Sequence, residues 1–84
     1  MSKLSQYGGR ILTIDGARVG EMRDPNDNSR SRHQYRVNAG ALEHRLLSEA
    51  GDVIDDWTPR TASELRQMQT VRAGYHPVLD ELGL

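Results

Sequence analysis

Arg32-His33-Gln34-Tyr35-Arg36-Val37-Asn38-Ala39-Gly40-Ala41-Leu42-Glu43-His44-Arg45-Leu46-Leu47 is the stretch whose reading decides the fold. Residues 32–38 alternate strictly, the period of a half-buried strand, and Ala39-Gly40 supplies a two-residue turn. A turn there sets Val37 opposite Leu42, Tyr35 opposite His44 and His33 opposite Leu46, while Arg36 meets Glu43 on the other face. These pairs are mutually consistent, as a specified register requires. Residues 41–50 are also good helix formers with Gly51 available as a cap, so a helix competes for that segment. The neighbouring residues favour the strand. Ser48-Glu49-Ala50-Gly51-Asp52 reads as a hairpin loop with glycine in the left-handed position, leading into Val53-Ile54-Asp55-Asp56-Trp57. That loop predicts Leu47 opposite Val53, Leu46 opposite Ile54 and Arg45 opposite Asp55, which puts Tyr35, His44 and Asp56 in one row.

Toward the N-terminus, residues 10–14 and 17–22 flank Asp15-Gly16, the strongest short hairpin signal. It pairs Ile14 with Ala17, Leu12 with Val19 and Arg10 with Glu21. Residues 24–31 read as a polar loop and 1–9 as a loose leader ending in Gly8-Gly9. Toward the C-terminus, Thr58-Pro59 closes the sheet and Thr61-Ala62-Ser63-Glu64 is a capping box. The helix it opens is expected to run to about Ala73, with Leu65, Met68, Val71 and Tyr75 as its apolar stripe. Gly74 and His76-Pro77 stop it, and Val78–Leu82 folds back as a short last turn. The expected architecture is a single α+β domain over 1–84: an antiparallel β-meander of about five strands with one main C-terminal α-helix packed on one face. Its expected core takes Ile11, Leu12, Ile14, Val19, Tyr35, Val37, Leu42, Leu46, Leu47, Val53, Ile54 and Trp57 from the sheet. The helical region adds Leu65, Met68, Val71, Tyr75, Val78, Leu79 and Leu82.

Eighty-four residues make a thin core, and the absence of cysteine removes disulfides, thiolate metal sites and cysteine nucleophiles. A small domain without staples points to a reducing, cytoplasmic setting, and no apolar run approaches the length of a membrane span. The net charge of −1 conceals a split, with +3 over residues 1–47 and −4 over 48–84. A meander can interleave the two halves; where the split persists on the surface, each end can steer a charged partner.

The chemistry-bearing groupings are sparse. A Tyr35–His44–Asp56 row, with His33 beside it, has the atom types of a general base or a metal site, but neither a nucleophile nor ligand spacing accompanies it. Asp24, Asn26, Asp27 and Asn28 offer oxygen ligands without the glycine and distal glutamate of a calcium loop. No phosphate-binding motif is present. The expectation is a non-enzymatic protein with no cofactor and no metal, a monomer or weak dimer that acts by binding.

Two surfaces suit that role. Glu49, Asp52, Asp55 and Asp56 form an acidic rim for a basic protein partner. Alternatively Arg30, Arg32 and Arg36 with Trp57 form a nucleic-acid-binding strand, in which phosphate contacts are joined by a stacking ring. Alternation sends Tyr35 away from Arg32 and Arg36, so only Trp57 can supply that ring.

In size, missing cysteine, arginine bias, acidic C-terminal half and lack of a catalytic signature, the chain resembles the small inhibitors of phages and mobile elements, anti-CRISPR proteins among them. The likeness is of character, without a shared motif or fold, and carries over no residue. It implies occlusion of a CRISPR effector subunit through the acidic surface.

Overall fold

Two turns with glycine in second place set most of the sheet. Asp15 and Gly16 have φ of 51° and 80°, and Ala39 and Gly40 have 50° and 80°. Paired positive angles define a type I′ turn, whose twist matches that of the strands it joins. The computed structural model describes residues 8–23, 30–69 and 76–84. Over these it forms β1 (Arg10–Ile14), β2 (Ala17–Arg23), β3 (Arg32–Asn38), β4 (Ala41–Leu47) and β5 (Val53–Pro59), followed by α1 (Ala62–Gln69) and α2 (Pro77–Leu82). The strands make one antiparallel sheet in sequence order.

Both tight hairpins have the expected registers, from Arg10↔Glu21 to Ile14↔Ala17 and from His33↔Leu46 to Val37↔Leu42. Segment 41–47 is a strand, not a helix. The third hairpin begins as expected at Leu47↔Val53, with Gly51 at φ 99°. It then departs: Leu46 faces Asp55, His44 faces Thr58 and Glu43 faces Pro59. Two bulges therefore insert two extra residues into β5. Asp56 holds the second one locally, because its carboxylate accepts the Trp57 amide (2.8 Å) and its carbonyl accepts the Thr58 hydroxyl (2.9 Å). An aspartate next to an unpaired amide satisfies it without the neighbouring strand.

Thr61 caps α1 as expected, accepting the Glu64 amide at 3.1 Å. The Glu64 carboxylate binds the same hydroxyl at 3.2 Å, so both bonds of the box meet on one oxygen. In place of one main helix the described residues contain two short ones, and α2 gives the sheet more: Pro77, Val78 and Leu79 are all buried. Gly20 makes the approach possible, since a Cβ there would run into Val78 Cγ1. Pro77 opens α2, and Gly83, at φ 78°, closes it by donating to the Asp80 and Leu79 carbonyls.

The core is Met22, Tyr35, Leu65, Val78 and Leu79, with Ile11, Leu42, Ala62 and Leu82 packed around it. Val37, Val53, Ile54 and Met68, expected inside, are 46–59% exposed. Val53 and Ile54 come out because the bulges break alternation on an edge strand. Met68 lies on a helix that reaches the core through Leu65, with Ala62 at its edge. Val71, Tyr75, the calcium-type loop and the start of the leader fall outside the described residues.

Candidate partner-binding site

The acidic rim lies along β5 and the turn before it. Asp52, Asp55 and Asp56 are exposed and form no ion pair among the described residues. Glu49 differs, because Arg30 reaches it at 3.4 Å. The expected Arg45–Asp55 pair is absent: the first bulge swings Asp55 opposite Leu46, and Arg45 turns instead to Gln34 Oε1 at 3.0 Å. Among the described residues Asp55 is left without an ion pair in consequence. Between these acids stand Val53 and Ile54, 52% and 59% exposed on a strand whose outer edge no other described strand covers. An edge with apolar side chains and unused backbone groups invites another chain, whereas flanking charge and bulges restrict which chain can pair.

The sheet face away from the helices carries the arginines. Registers across β1–β4 align Arg10, Glu21, Gln34 and Arg45 in one row. Glu21 is its centre, 7% exposed, receiving Arg32 at 2.7 Å, Gln34 at 2.6 Å and Arg10 at 3.3 Å. Burial acts to raise the carboxyl pKa, but the hydrogen bonds from Arg32 and Gln34 and the charges of Arg32 and Arg10 together outweigh it. Glu21 is held below its usual range. Arg32 is raised in turn, first by its bond to Glu21. Arg36 binds Glu43 at 2.9 Å, and the guanidinium carbons of Arg36 and Arg45 lie 4.0 and 4.7 Å from the Trp57 ring centre.

Trp57 therefore does share a face with Arg36, and Arg32 belongs to the same face. Arg30 instead lies out at Glu49. Arg23, directly across from Arg32, has no ion pair among the described residues. A pocket of about 430 Å³ lies here, lined by Arg10, Arg23, Arg32, Glu21 and Glu49 with Gly8 and Met22.

The general-base row does not form. His44 faces Thr58, not Asp56, and is buried on the helix side against His33 (Nδ1···Nε2 3.0 Å) and Tyr35. Among the described residues no group of three or more His, Asp or Glu side chains is arranged to hold a metal ion, and no helix is long and apolar enough to cross a membrane.

Sequence reasoning missed Val53 and Ile54 as surface residues, and Glu21, Gln34 and Arg45 as the polar row beneath the arginines. The two halves of the row were readable from the tight hairpins. Joining them needs the β2–β3 register, which a long polar loop leaves open. Comparison with protein-family models, curated proteins and solved structures finds no match.

Proposed function

We propose that this domain is a non-enzymatic binding module that docks the β5 edge onto a basic surface of another protein, the nucleic-acid groove of a CRISPR effector subunit being the partner class. One observation carries the reading: β5 shows Val53 and Ile54 to solvent beside three acids that form no ion pair among the described residues. The aliphatics supply area to bury, and the acids select the sign of what may cover it. Two copies pairing through β5 would bring like charges together, so the pattern favours a basic partner over self-association. Carboxylates along an extended strand can also compete for arginines and lysines that otherwise hold phosphates.

The test is competition on purified CRISPR effector complexes, following their binding of target nucleic acid as the chain is added. Wild type displaces nucleic acid, and Asp52→Lys with Asp55→Lys does not. Asp56 is better changed to Asn, which keeps the acceptor its bulge needs. Unchanged displacement by the lysine variant refutes the surface.

A second reading is favoured by Trp57, Arg36 and Arg45 sharing one face with Arg32: single-stranded nucleic acid held by arginines and one ring. Salt-sensitive gel shifts lost on Arg32→Glu with Arg36→Glu support it. No shift at tens of micromolar removes it.

A further inference from the structure

All three histidines of the chain sit in one buried cluster that neither binding surface uses. His33 and His44 stack with ring centres 5.2 Å apart, Tyr35 leans on His44 at 5.2 Å, and His76 meets Tyr35 edge-on at 5.1 Å. His76 is also the N-cap of α2, with its Nδ1 accepting the Leu79 amide at 3.3 Å. That bond requires the neutral ring with its proton on Nε2, a buried atom with no hydrogen-bond partner among the described residues. We propose that α2 is an acid-released latch: a solvent proton taken up on His76 Nδ1 removes the helix cap, and α2 leaves the sheet to bare the apolar strip around Gly20 and Met22.

Every described element around His76 bears on its charge. His33 on β3 and His44 on β4 lie across Tyr35, Arg66 projects from α1, and Asp80 on α2 itself is the opposing acid. Asp80 is already engaged by Arg66 at 2.7 Å. Around His44 stand His33, Arg60, Asp55 and His76. A cation at His76 is thus poorly solvated, meets the Arg66 charge while Asp80 is engaged by that same arginine, and sits at the positive end of a helix. Burial first, then the Arg66 charge, lowers His76 to about 4, and burial with the charges of His33 and Arg60 lowers His44 to about 4. A histidine depressed when packed takes up its proton more readily once released, so acid favours release between pH 6.5 and 4. A six-residue helix has no stability of its own when detached, so loss of cap and packing acts on the whole element.

Amide exchange read residue by residue tests this on the intact chain. Corrected for intrinsic exchange, opening at the Leu79 and Leu84 amides should rise about 30-fold between pH 7.5 and pH 5 and should exceed opening of the β3–β4 amides, which waits for global unfolding, at both pH values. His76→Asn, which keeps an acceptor at the cap but does not titrate, should abolish that rise. Leu79 and Leu84 opening no more often than the β3–β4 amides, or an unchanged rise in the Asn variant, overturns the proposal. Should that variant fold poorly, the wild-type chain decides: Leu79 and Leu84 amides that open no more often at pH 5 than at pH 7.5, or a His76 ring that titrates at its ordinary value, overturn the latch.

Discussion

Gly20→Ala isolates the contact that seats α2. Gly20 is buried in the middle of β2, and the added methyl would run into Val78 Cγ1 while touching Val78 Cβ and Ile11 Cδ1 at 3.5 and 3.6 Å. Val78 is fully buried and branched at Cβ, so it cannot swing aside, and α2 must shift away from the sheet. Overpacking of this kind costs about 1–3 kcal/mol. Replacing glycine within a strand returns about 0.5–1 kcal/mol through the unfolded chain. The net expectation is a loss of about 1–2 kcal/mol, or roughly 5–15 °C in Tm for a domain of this size. Denaturant titration of Gly20→Ala, Val78→Ala and the double variant supplies the assay. Val78→Ala alone should cost about 2 kcal/mol by removing buried methyls. In its background the alanine at 20 has room, so the double variant should resemble the Val78 single and show coupling of about 1 kcal/mol or more. Gly20→Ala at or above wild-type stability, or strict additivity, would refute the reasoning.

Three further perturbations probe other parts of the molecule. Glu21→Gln leaves Arg10, Arg32 and Gln34 without their shared carboxylate and should cost about 2–4 kcal/mol, whereas Arg10→Ala, at a largely exposed arginine, should cost under about 1 kcal/mol in the same denaturant assay. Ala39→Asn relieves a non-glycine residue at φ 50° and should raise stability by about 1 kcal/mol, read as a higher Tm. Acid should destabilise the whole fold. With His44 and His76 at about 4 when folded and near 6.5 when unfolded, stability is complete above pH 6.5 and falls as pH drops toward 4, by about 3 kcal/mol for each histidine. Glu21, held low when folded, continues the loss below its ordinary range. A flat denaturation midpoint from pH 7.5 to 4.5 would contradict the buried neutral cluster.

The parts of the fold legible in the sequence are those determined locally. Asp15-Gly16 and Ala39-Gly40 each permit one turn, and a two-residue turn leaves one register, so Arg10–Glu21 and Arg36–Glu43 could be read from the residues alone. The β4–β5 pairing began correctly at Leu47–Val53, where Gly51 takes its left-handed angle, and went wrong within one residue. No residue type marks a bulge as glycine marks a turn. The aspartates of β5 read as surface charge, although Asp56 also satisfies a backbone amide. Both main errors about the candidate site follow from that slip, the supposed Arg45–Asp55 pair and the supposed burial of Val53 and Ile54. The histidines were hidden differently. Alternation placed His33 and His44 on the Tyr35 face, but that His76 would reach the same ring depends on where α2 lands, which no local signal records.

The most direct measurement is the affinity of purified CRISPR effector complexes for the chain with and without charge reversal on β5, the fold of each variant being checked by its Tm. Wild type should bind and displace target nucleic acid, and Asp52→Lys with Asp55→Lys should lose that binding at an unchanged Tm. Binding that survives the reversal, or no binding by wild type at tens of micromolar, contradicts a role for the β5 edge.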